Sequence, residues 1–224
     1  MKFLIIIPTH NEEKNILFCL ESLKKQTFRD YKIVVVNDGS TDQTQTIVNE
    51  FAAAHPDFEI ENLEKSEHQP GAKVVRTFNK GLEVVDFEEF DVVCKFDADI
   101  IFPENYLGKI NEIYEKNPKA GMVSGIVKIK KSVFENKLAF DFRDEKKQWV
   151  FENISSKNHV RGPIKSYRKE CFLDMNGLRP VLGWDNIDVM LAKKHGWDVI
   201  TIKDLWVKHL RPTAYKYKNQ KAEK

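Results

Sequence analysis

The sequence has few of the features that mark secreted, membrane-spanning or nucleic-acid-binding proteins. It contains only three cysteines, Cys19, Cys94 and Cys171, which lie in apolar surroundings and form no paired spacing. We therefore expect reduced thiols in a hydrophobic core and a cytoplasmic protein. The formal net charge is only +2, and no basic stretch alternates with aromatic residues, so we expect no nucleic-acid partner.

Long hydrophobic runs are also missing. The apolar run at residues 3–7 is too short for a signal peptide, and polar residues 8–13 follow it where a cleavage site of small residues would stand. No run approaches the ~20 residues that a membrane span requires. We expect a soluble chain, for which peripheral contact with a membrane surface stays open.

No Gly-, Ser- or Pro-rich linker, internal repeat or low-complexity segment divides the chain. Hydrophobic residues make up 42% of the 224 residues and charged residues 31%, which is typical of a folded soluble protein. A chain of this length can bury a substantial core. The sequence therefore predicts a single domain.

Hydrophobic periodicity predicts alternating strands and helices over the first part of the chain. Apolar runs at residues 3–7, 33–36 and 91–96 predict buried strands, and a weaker strand is expected near 58–63. Helical spacing of apolar residues is found between and after these strands, in the sets Ile16/Leu20/Leu23, Ile47/Val48/Phe51, Val74/Phe78/Leu82/Val85 and Leu107/Ile110/Tyr114. Repeated strand–helix–strand units predict an α/β fold with a mostly parallel sheet and helices on both faces.

The pattern changes from about residue 120. We predict a strand at residues 121–129, a short helix within 161–175, a longer helix at 185–195 and a last strand at 197–202. Residues 130–160 are charged and aromatic, without a clear period.

Polar clusters follow three of the predicted strands, at residues 8–12, 38–42 and 97–99. In open α/β sheets, ligands bind beyond the carboxyl ends of the strands. Asp97 and Asp99 come directly after a buried strand, where charge is costly unless it is compensated. Mg²⁺ or Mn²⁺ is a suitable partner because it takes carboxylate oxygens together with substrate phosphates. The pattern predicts a nucleotide diphosphate held through a metal; two solvated aspartates in a surface turn are the alternative.

Asp38 also follows a buried strand. It is placed to accept hydrogen bonds from a base or ribose, although Asp-Gly turns and helix caps are common structural uses of such a segment. No Gly-X-Gly-X-X-Gly follows the first strand, which disfavours a dinucleotide-binding fold.

Three ordered segments resemble family-2 glycosyltransferases of the GT-A type. They are Ile6-Ile7-Pro8-Thr9-His10-Asn11-Glu12-Glu13, Val35-Val36-Asn37-Asp38-Gly39-Ser40-Thr41-Asp42 and Phe96-Asp97-Ala98-Asp99. The resemblance extends over residues 2–212 and is strongest in the first hundred. It implies a GT-A-type mixed, mostly parallel sheet. It also implies an inverting enzyme that uses a divalent metal (Mn²⁺ or Mg²⁺) to transfer sugar from a nucleotide-sugar donor, most often UDP-linked. The expected acceptor is a hydroxyl of a growing glycan, either a free glycan or a lipid-linked one.

The resemblance also assigns roles on the donor side. It implies that the nucleoside pocket is lined by Pro8, Thr9, Asn11 and Glu12 and that Asp38 binds the base. Asp97 would lie near the ribose and the donor sugar. Asp99 would ligate the metal, and His209 would be a further ligand of the metal or of the diphosphate. Lys73 and Arg76 would flank the pyrophosphate. This sequence has Phe78-Asn79 where relatives usually carry Arg-Asn, so which of the two cations contacts phosphate stays open, as does a solvated helix face.

On the acceptor side, Gly183-Trp184-Asp185-Asn186-Ile187-Asp188 resembles the family segment Gly-Trp-Glu-Asp-X-Asp, which carries the general base. Asn186 stands where the base aspartate is usual, so Asp185 and Asp188 are the candidates. We favour Asp185, because a cap position at the helix start would face a cleft; capping alone is the structural alternative. Arg161 and Trp184 are expected to bind the acceptor, with a core position as the alternative for Trp184.

These assignments divide the chain into a nucleotide-sugar-binding half at residues 1–120, an acceptor-binding half at 121–212 and a flexible basic tail at 213–224. Two other functions stay open. A sugar nucleotidyltransferase would normally carry a Gly-rich basic loop after the first strand, where this chain has Pro8-Thr9-His10-Asn11. A non-catalytic nucleotide-sugar-binding protein would be consistent with Asn186.

Overall fold

The computed structural model describes residues 1–64, 71–130, 140–143, 148–152 and 159–211. Its strands are β1 (Phe3–Thr9), β2 (Tyr31–Asp38), β3 (Phe58–Leu63), β4 (Val92–Phe96), β5 (Ile100–Ile101), β6 (Ala120–Lys130), β7 (Trp149–Phe151), β8 (Ile164–Arg168) and β9 (Asp198–His209). Its α-helices are α1 (Ile16–Lys24), α2 (Thr44–Ala54), α3 (Ala72–Glu83), α4 (Tyr106–Lys116), α5 (Lys169–Asp174) and α6 (Trp184–Lys194). A single 3₁₀ turn covers Phe87–Glu89.

The described strands form one mixed sheet in the order β3-β2-β1-β4-β8-β6-β9-β5, and β7 pairs with β6. Strands β3, β2, β1 and β4 run parallel, as the sequence predicts for the first half. The second half adds the antiparallel pairs β4–β8 and β6–β8, and the parallel pair β6–β9. The predicted α/β architecture is confirmed.

Side chains alternate between the two faces of β1, and this alternation explains why helices cover both sides. Phe3, Ile5 and Ile7 pack with α1, α2 and α4 in one core cluster. Leu4 and Ile6 pack with α3, α5 and α6 in another. A strand covered on both faces has to be apolar throughout, which is why residues 3–7 form a continuous run.

Several sequence expectations differ from the structure in detail. The final strand extends to His209, beyond the predicted end at residue 202. Strand β8 lies inside the stretch from which only a short helix was predicted. The predicted tail at 213–224 and most of residues 130–160 lie outside the described residues.

The cysteines and helix lengths agree with the compositional predictions. Cys19, Cys94 and Cys171 are buried and form no disulfide, and burial raises the pKa of each thiol. In the part of the chain that the structure describes, no helix combines the length and apolar character that crossing a bilayer demands.

Strand β8 lacks a hydrophobic pattern in the sequence because polar residues in it are buried in contact with a partner that they share on α6. The Lys165 ammonium is fully buried and donates to both carboxylate oxygens of Asp188 on α6, at 2.6 Å each. The Tyr167 hydroxyl donates to Asp188 Oδ2 at 2.6 Å. Burial lowers the pKa of Lys165, and the Asp188 carboxylate opposes that shift. These contacts fasten α6 to the middle of the sheet.

Removing the Asp188 carboxylate should therefore destabilise the fold strongly. Asp188→Ala leaves the Lys165 ammonium buried without its counter-charge, and breaking such a pair typically costs about 3–5 kcal/mol. Urea unfolding would measure the loss, with the exposed Asp204→Ala as a matched control. The double variant Lys165→Met/Asp188→Leu should regain part of the stability. A loss below ~1 kcal/mol for Asp188→Ala would show that the pair is dispensable.

Candidate active site at the carboxyl edge of the sheet

The loops after β1 and β2 are tied together at the carboxyl edge of the sheet. The ring of His10 contacts the Asp38 carbonyl oxygen through Nδ1 at 2.7 Å. The Asn11 backbone N–H donates to Ser40 Oγ at 2.9 Å, and Asn11 Oδ1 accepts from the Thr41 backbone N–H at 2.8 Å. Asn11 adopts a positive φ of 54°, a conformation that asparagine tolerates better than most residues. It is exposed and holds the two loops together.

The other predicted nucleoside residues differ in how they face this edge. Pro8 is half-buried, and the Thr9 hydroxyl donates back to the Ile7 carbonyl at 3.0 Å. The Glu12 side chain is buried, accepts from Asn15 Nδ2 at 2.9 Å and forms an ion pair with Arg211. Burial raises the pKa of Glu12, and the bonds to Asn15 and Arg211 offset this shift only in part.

Asp38 is buried and interacts with the start of α3. Its Oδ2 lies 3.2 Å from Lys73 Nζ and accepts from the Thr77 hydroxyl at 3.2 Å. Arg76 is exposed on the same helix. In this structure Lys73 therefore neutralises Asp38, and Arg76 presents its guanidinium to solvent.

Asp99 and His209 come together because β5 pairs with the end of β9. Ile100 is the register partner of His209, and the Leu210 backbone N–H donates to the Asp99 carbonyl at 2.9 Å. Asp99 Oδ2 lies 3.4 Å from His209 Nε2 and 3.4 Å from Arg211 Nε. Both predicted metal ligands thus meet in a buried position. The two residues are 110 positions apart in the chain.

Opposing effects set the ionisation of this pair. Burial favours the neutral form of Asp99, but His209 and Arg211 outweigh it and lower the pKa of the carboxyl group. Burial also opposes protonation of His209, yet hydrogen bonds and charges from Asp99 and Glu152 raise the pKa of the imidazole to about 9. The Asp99 and Glu152 carboxylates therefore favour the imidazolium form of His209.

The carboxylate and imidazole at this position suit a divalent cation whose remaining ligands come from a bound substrate. Within the described ranges, no cluster of three or more His, Cys, Asp or Glu side chains forms a complete cage. Asp99 and His209 nevertheless supply one carboxylate and one imidazole at close range. Mg²⁺ and Mn²⁺ need only one or two such protein ligands when phosphate oxygens and water complete the shell. These residues fit such an ion.

Asp97 is joined to residues 162–163, just before β8. Its carboxylate, about one-third exposed, bonds to the buried Lys95 ammonium. Lys95 Nζ also donates to the Gly162 carbonyl at 3.3 Å, and the Asp97 backbone N–H donates to the Pro163 carbonyl at 2.9 Å. In the sequence, Lys95 is notable only as a charged residue inside an apolar strand, and no role is predicted for it.

The structure separates the two candidate bases. Asp185 is half-buried in the first turn of α6, and a Cβ on Gly162 would lie 3.3 Å from its Oδ2. The helix is preceded by Gly183 in a left-handed conformation, so the expectation that Asp185 caps the helix is wrong. Asp188 is 2% exposed, and its carboxylate accepts hydrogen bonds from Lys165 and Tyr167.

The two predicted acceptor residues are both buried. The Trp184 ring is 7% exposed and lies 5.2 Å from Lys95 Nζ and 5.3 Å from Lys165 Nζ, which is the core position considered as its alternative. The Arg161 guanidinium donates to the carbonyl and to Oε2 of Glu152. Both side chains are held by contacts within the protein, and their role in binding the acceptor stays a prediction. Glu152 itself has no local sequence signal, because it lies in the stretch without a period.

The loop before α6, at residues 181–182, lies against the start of α3. Gly71 has a φ of 75°, and a Cβ there would approach Leu182 Cα within 2.8 Å and the Val181 carbonyl oxygen within 2.9 Å. Leu182 is 71% exposed, so the loop presents an apolar side chain to solvent above this contact. The start of α3 and the loop before α6 therefore meet backbone to backbone.

The stability of the metal-free chain should fall as the pH rises from about 6.5 to about 9. Folding raises the pKa of His209 across this interval, so its contribution is complete below the unfolded value and is lost as the pH passes the folded one. Urea unfolding at both ends should show a loss of up to about 3 kcal/mol. His209→Gln should flatten the profile; equal slopes in both proteins would contradict the assignment.

Comparison with known proteins supports a family assignment. The sequence profile described as Glycosyl transferase family 2 matches residues 4–172. Poly-beta-1,6-N-acetyl-D-glucosamine synthase from Staphylococcus epidermidis is 30% identical over 125 residues, which cover 56% of this chain and 28% of that relative. The chain thus spans less than a third of the length of this curated relative.

Solved structures show the same fold. Mannosyltransferase PcManGT from Pyrobaculum calidifontis, in complex with GDP-Man and Mn²⁺, has a TM-score of 0.69 at 21% identity and covers 98% of this chain and 59% of its own. S. aureus TarS 1–349 in complex with UDP-GlcNAc has a TM-score of 0.70 at 23% identity and covers 94% and 59%. These likenesses confirm the predicted GT-A architecture. Because the profile matches most of its length, the chain belongs to glycosyl transferase family 2.

Proposed function

We propose that this chain transfers a sugar from a UDP-linked donor to a hydroxyl of a glycan or lipid-linked acceptor, with inversion and with a divalent metal. One observation carries the proposal. Asp99 and His209 lie together at the edge of the sheet that also carries the loops of Asp38 and Asn11. The UDP-GlcNAc complex of TarS and the GDP-Man and Mn²⁺ complex of PcManGT support the donor class and the metal.

Residues 1–120 would hold the donor. Asp38 would accept hydrogen bonds from the base, and its contact with Lys73 would orient its carboxylate. Because Lys73 is engaged there, the exposed Arg76 is the better placed of the two to reach phosphate. Asp97 would contact the ribose or donor sugar, and its bond to Lys95 would hold it in place.

Asp99 and His209 would hold the metal. When bound, the ion would stabilise negative charge on the departing diphosphate. Arg211 lies beside Asp99 and would add a further positive charge at this position. The ion and the Arg211 guanidinium would together offset the negative charge that develops on the leaving group.

Asp185 would act as the general base within residues 121–212. Its carboxylate would take the proton of the acceptor hydroxyl while that oxygen attacks the anomeric carbon. The bond from the anomeric carbon to the phosphate oxygen breaks at the same time, and its electron pair leaves with the diphosphate. A single displacement of this kind inverts the configuration. Lys165 donates to the Asp185 carbonyl at 2.5 Å and so fixes the helix turn that carries the base.

Asn186 favours one other function, a non-catalytic nucleotide-sugar-binding protein, because it stands where the family base is usual. Transfer and donor hydrolysis, measured beside binding, separate the two functions. Family membership argues against a nucleotidyltransferase, which would release pyrophosphate from a nucleoside triphosphate.

Asp185→Asn should keep donor binding and lose transfer. General-base assistance typically contributes ~10²–10⁴-fold, so we expect kcat to fall by at least ~10²-fold. Radiolabelled transfer from a UDP-sugar measures the rate, and calorimetry with UDP measures binding. The exposed Asp204→Asn is the matched control. Normal transfer by Asp185→Asn would assign the base to another group.

Asp99→Asn should abolish the metal-dependent part of donor affinity. A thermal-shift screen of nucleotide sugars is expected to find one donor that stabilises the wild type with Mn²⁺ and loses its effect with chelator. The variant should show no difference between the two conditions. Equal UDP binding by the wild type with and without Mn²⁺ would remove the metal from the proposal.

A further inference from the structure

We propose that Glu152 is a positioning residue for the cation site, because it holds the His209 ring with Nε2 facing Asp99. This inference rests on the proposed function, since it concerns the residues assigned to the metal. Glu152 follows β7, and its side chain is 1% exposed. Its Oε2 lies 3.2 Å from His209 Nδ1. No role for this residue follows from the sequence.

Two contacts on opposite sides fix the orientation of the imidazole. Glu152 Oε2 holds Nδ1 at 3.2 Å, and Asp99 Oδ2 lies 3.4 Å from Nε2. An imidazole whose Nδ1–H is bound by a carboxylate presents the lone pair of Nε2 to a metal once Nε2 is deprotonated. Without the Glu152 contact, the ring could rotate or adopt the other tautomer.

The main chain holds Glu152 in this position. Its backbone N–H donates to the Val127 carbonyl at 3.1 Å, which continues the pairing of β7 with β6. Val127 and His209 lie on neighbouring strands, because β6 pairs with β9 through this region. The carboxylate therefore approaches His209 across β6, from the side of that strand where β7 pairs.

Arg161 supplies the charge that makes a buried Glu152 tolerable. One guanidinium nitrogen donates to the Glu152 carbonyl at 3.0 Å and another to Oε2 at 3.1 Å. Arg161 is itself 7% exposed, so the pair is buried together. A buried carboxylate without such a partner would be costly. Arg161 thus acts through Glu152 on the cation site, instead of contacting the acceptor as its sequence position suggested.

Glu152→Gln in the full chain tests this role. The amide has nearly the same volume, but it is a weaker acceptor and can turn its NH₂ group towards the ring. Mn²⁺ affinity, measured by electron paramagnetic resonance of free Mn²⁺ in the presence of UDP, should weaken by about 10–100-fold. UDP affinity without metal should not change. Glu59→Gln, an exposed glutamate paired with Lys32 at the β3 edge, is the matched control and should bind Mn²⁺ as the wild type does.

A second readout distinguishes positioning from mere structural support. The ¹⁵N chemical shifts of the His209 ring with Mg²⁺ and UDP bound should show an Nδ1–H tautomer in the wild type and a mixture in Glu152→Gln. If Glu152→Gln does not fold, Glu152→Asp keeps the charge for Arg161 but shortens the reach to His209, and it carries the same expectation. Wild-type Mn²⁺ affinity in the folded variant would overturn the inference alone. Absence of Mn²⁺ binding by the wild type would overturn it together with the metal of the proposed function.

Discussion

A row of alternating charges crosses the binding edge of this protein. It consists, in spatial order, of Arg161, Glu152, His209, Asp99, Arg211 and Glu12. Most of these groups are buried, and a buried charge is tolerated only beside an opposite one. Each member therefore constrains the next, and the row joins the loop after the first strand to the end of the last. The carboxylate and imidazole at its centre are oriented before any ligand arrives.

A second buried network positions the opposite side of the site. Lys95 and Lys165 lie on adjacent antiparallel strands, as register partners, with the Trp184 ring near both ammonium groups. Lys95 binds Asp97 and the Gly162 carbonyl, while Lys165 binds Asp188 and the Asp185 carbonyl. Asp97 and the first turn of α6, which carries Asp185, are thus both bound by one pair of lysines in the sheet.

The sequence predicts the elements that local hydrophobic patterns define. It does not predict the elements and residues whose burial depends on contacts with distant parts of the chain. The runs at residues 3–7 and 33–36 gave buried parallel strands, because a strand covered on both faces must be apolar throughout. Strand β8 was missed because Lys165 and Tyr167 are polar, and their burial makes sense only with Asp188 in contact. Family resemblance brought Asp99 and His209 to attention. Glu152 lies in no motif, and only the pairing of β7 with β6 places it beside His209.

The contact between Gly71 and the loop at residues 181–182 has a mechanical consequence. Because the two backbones leave no room even for a methyl group, any side chain at residue 71 would displace the loop from the first turn of α3, where Lys73 is paired with Asp38. The close packing of these two segments therefore depends on glycine at this position.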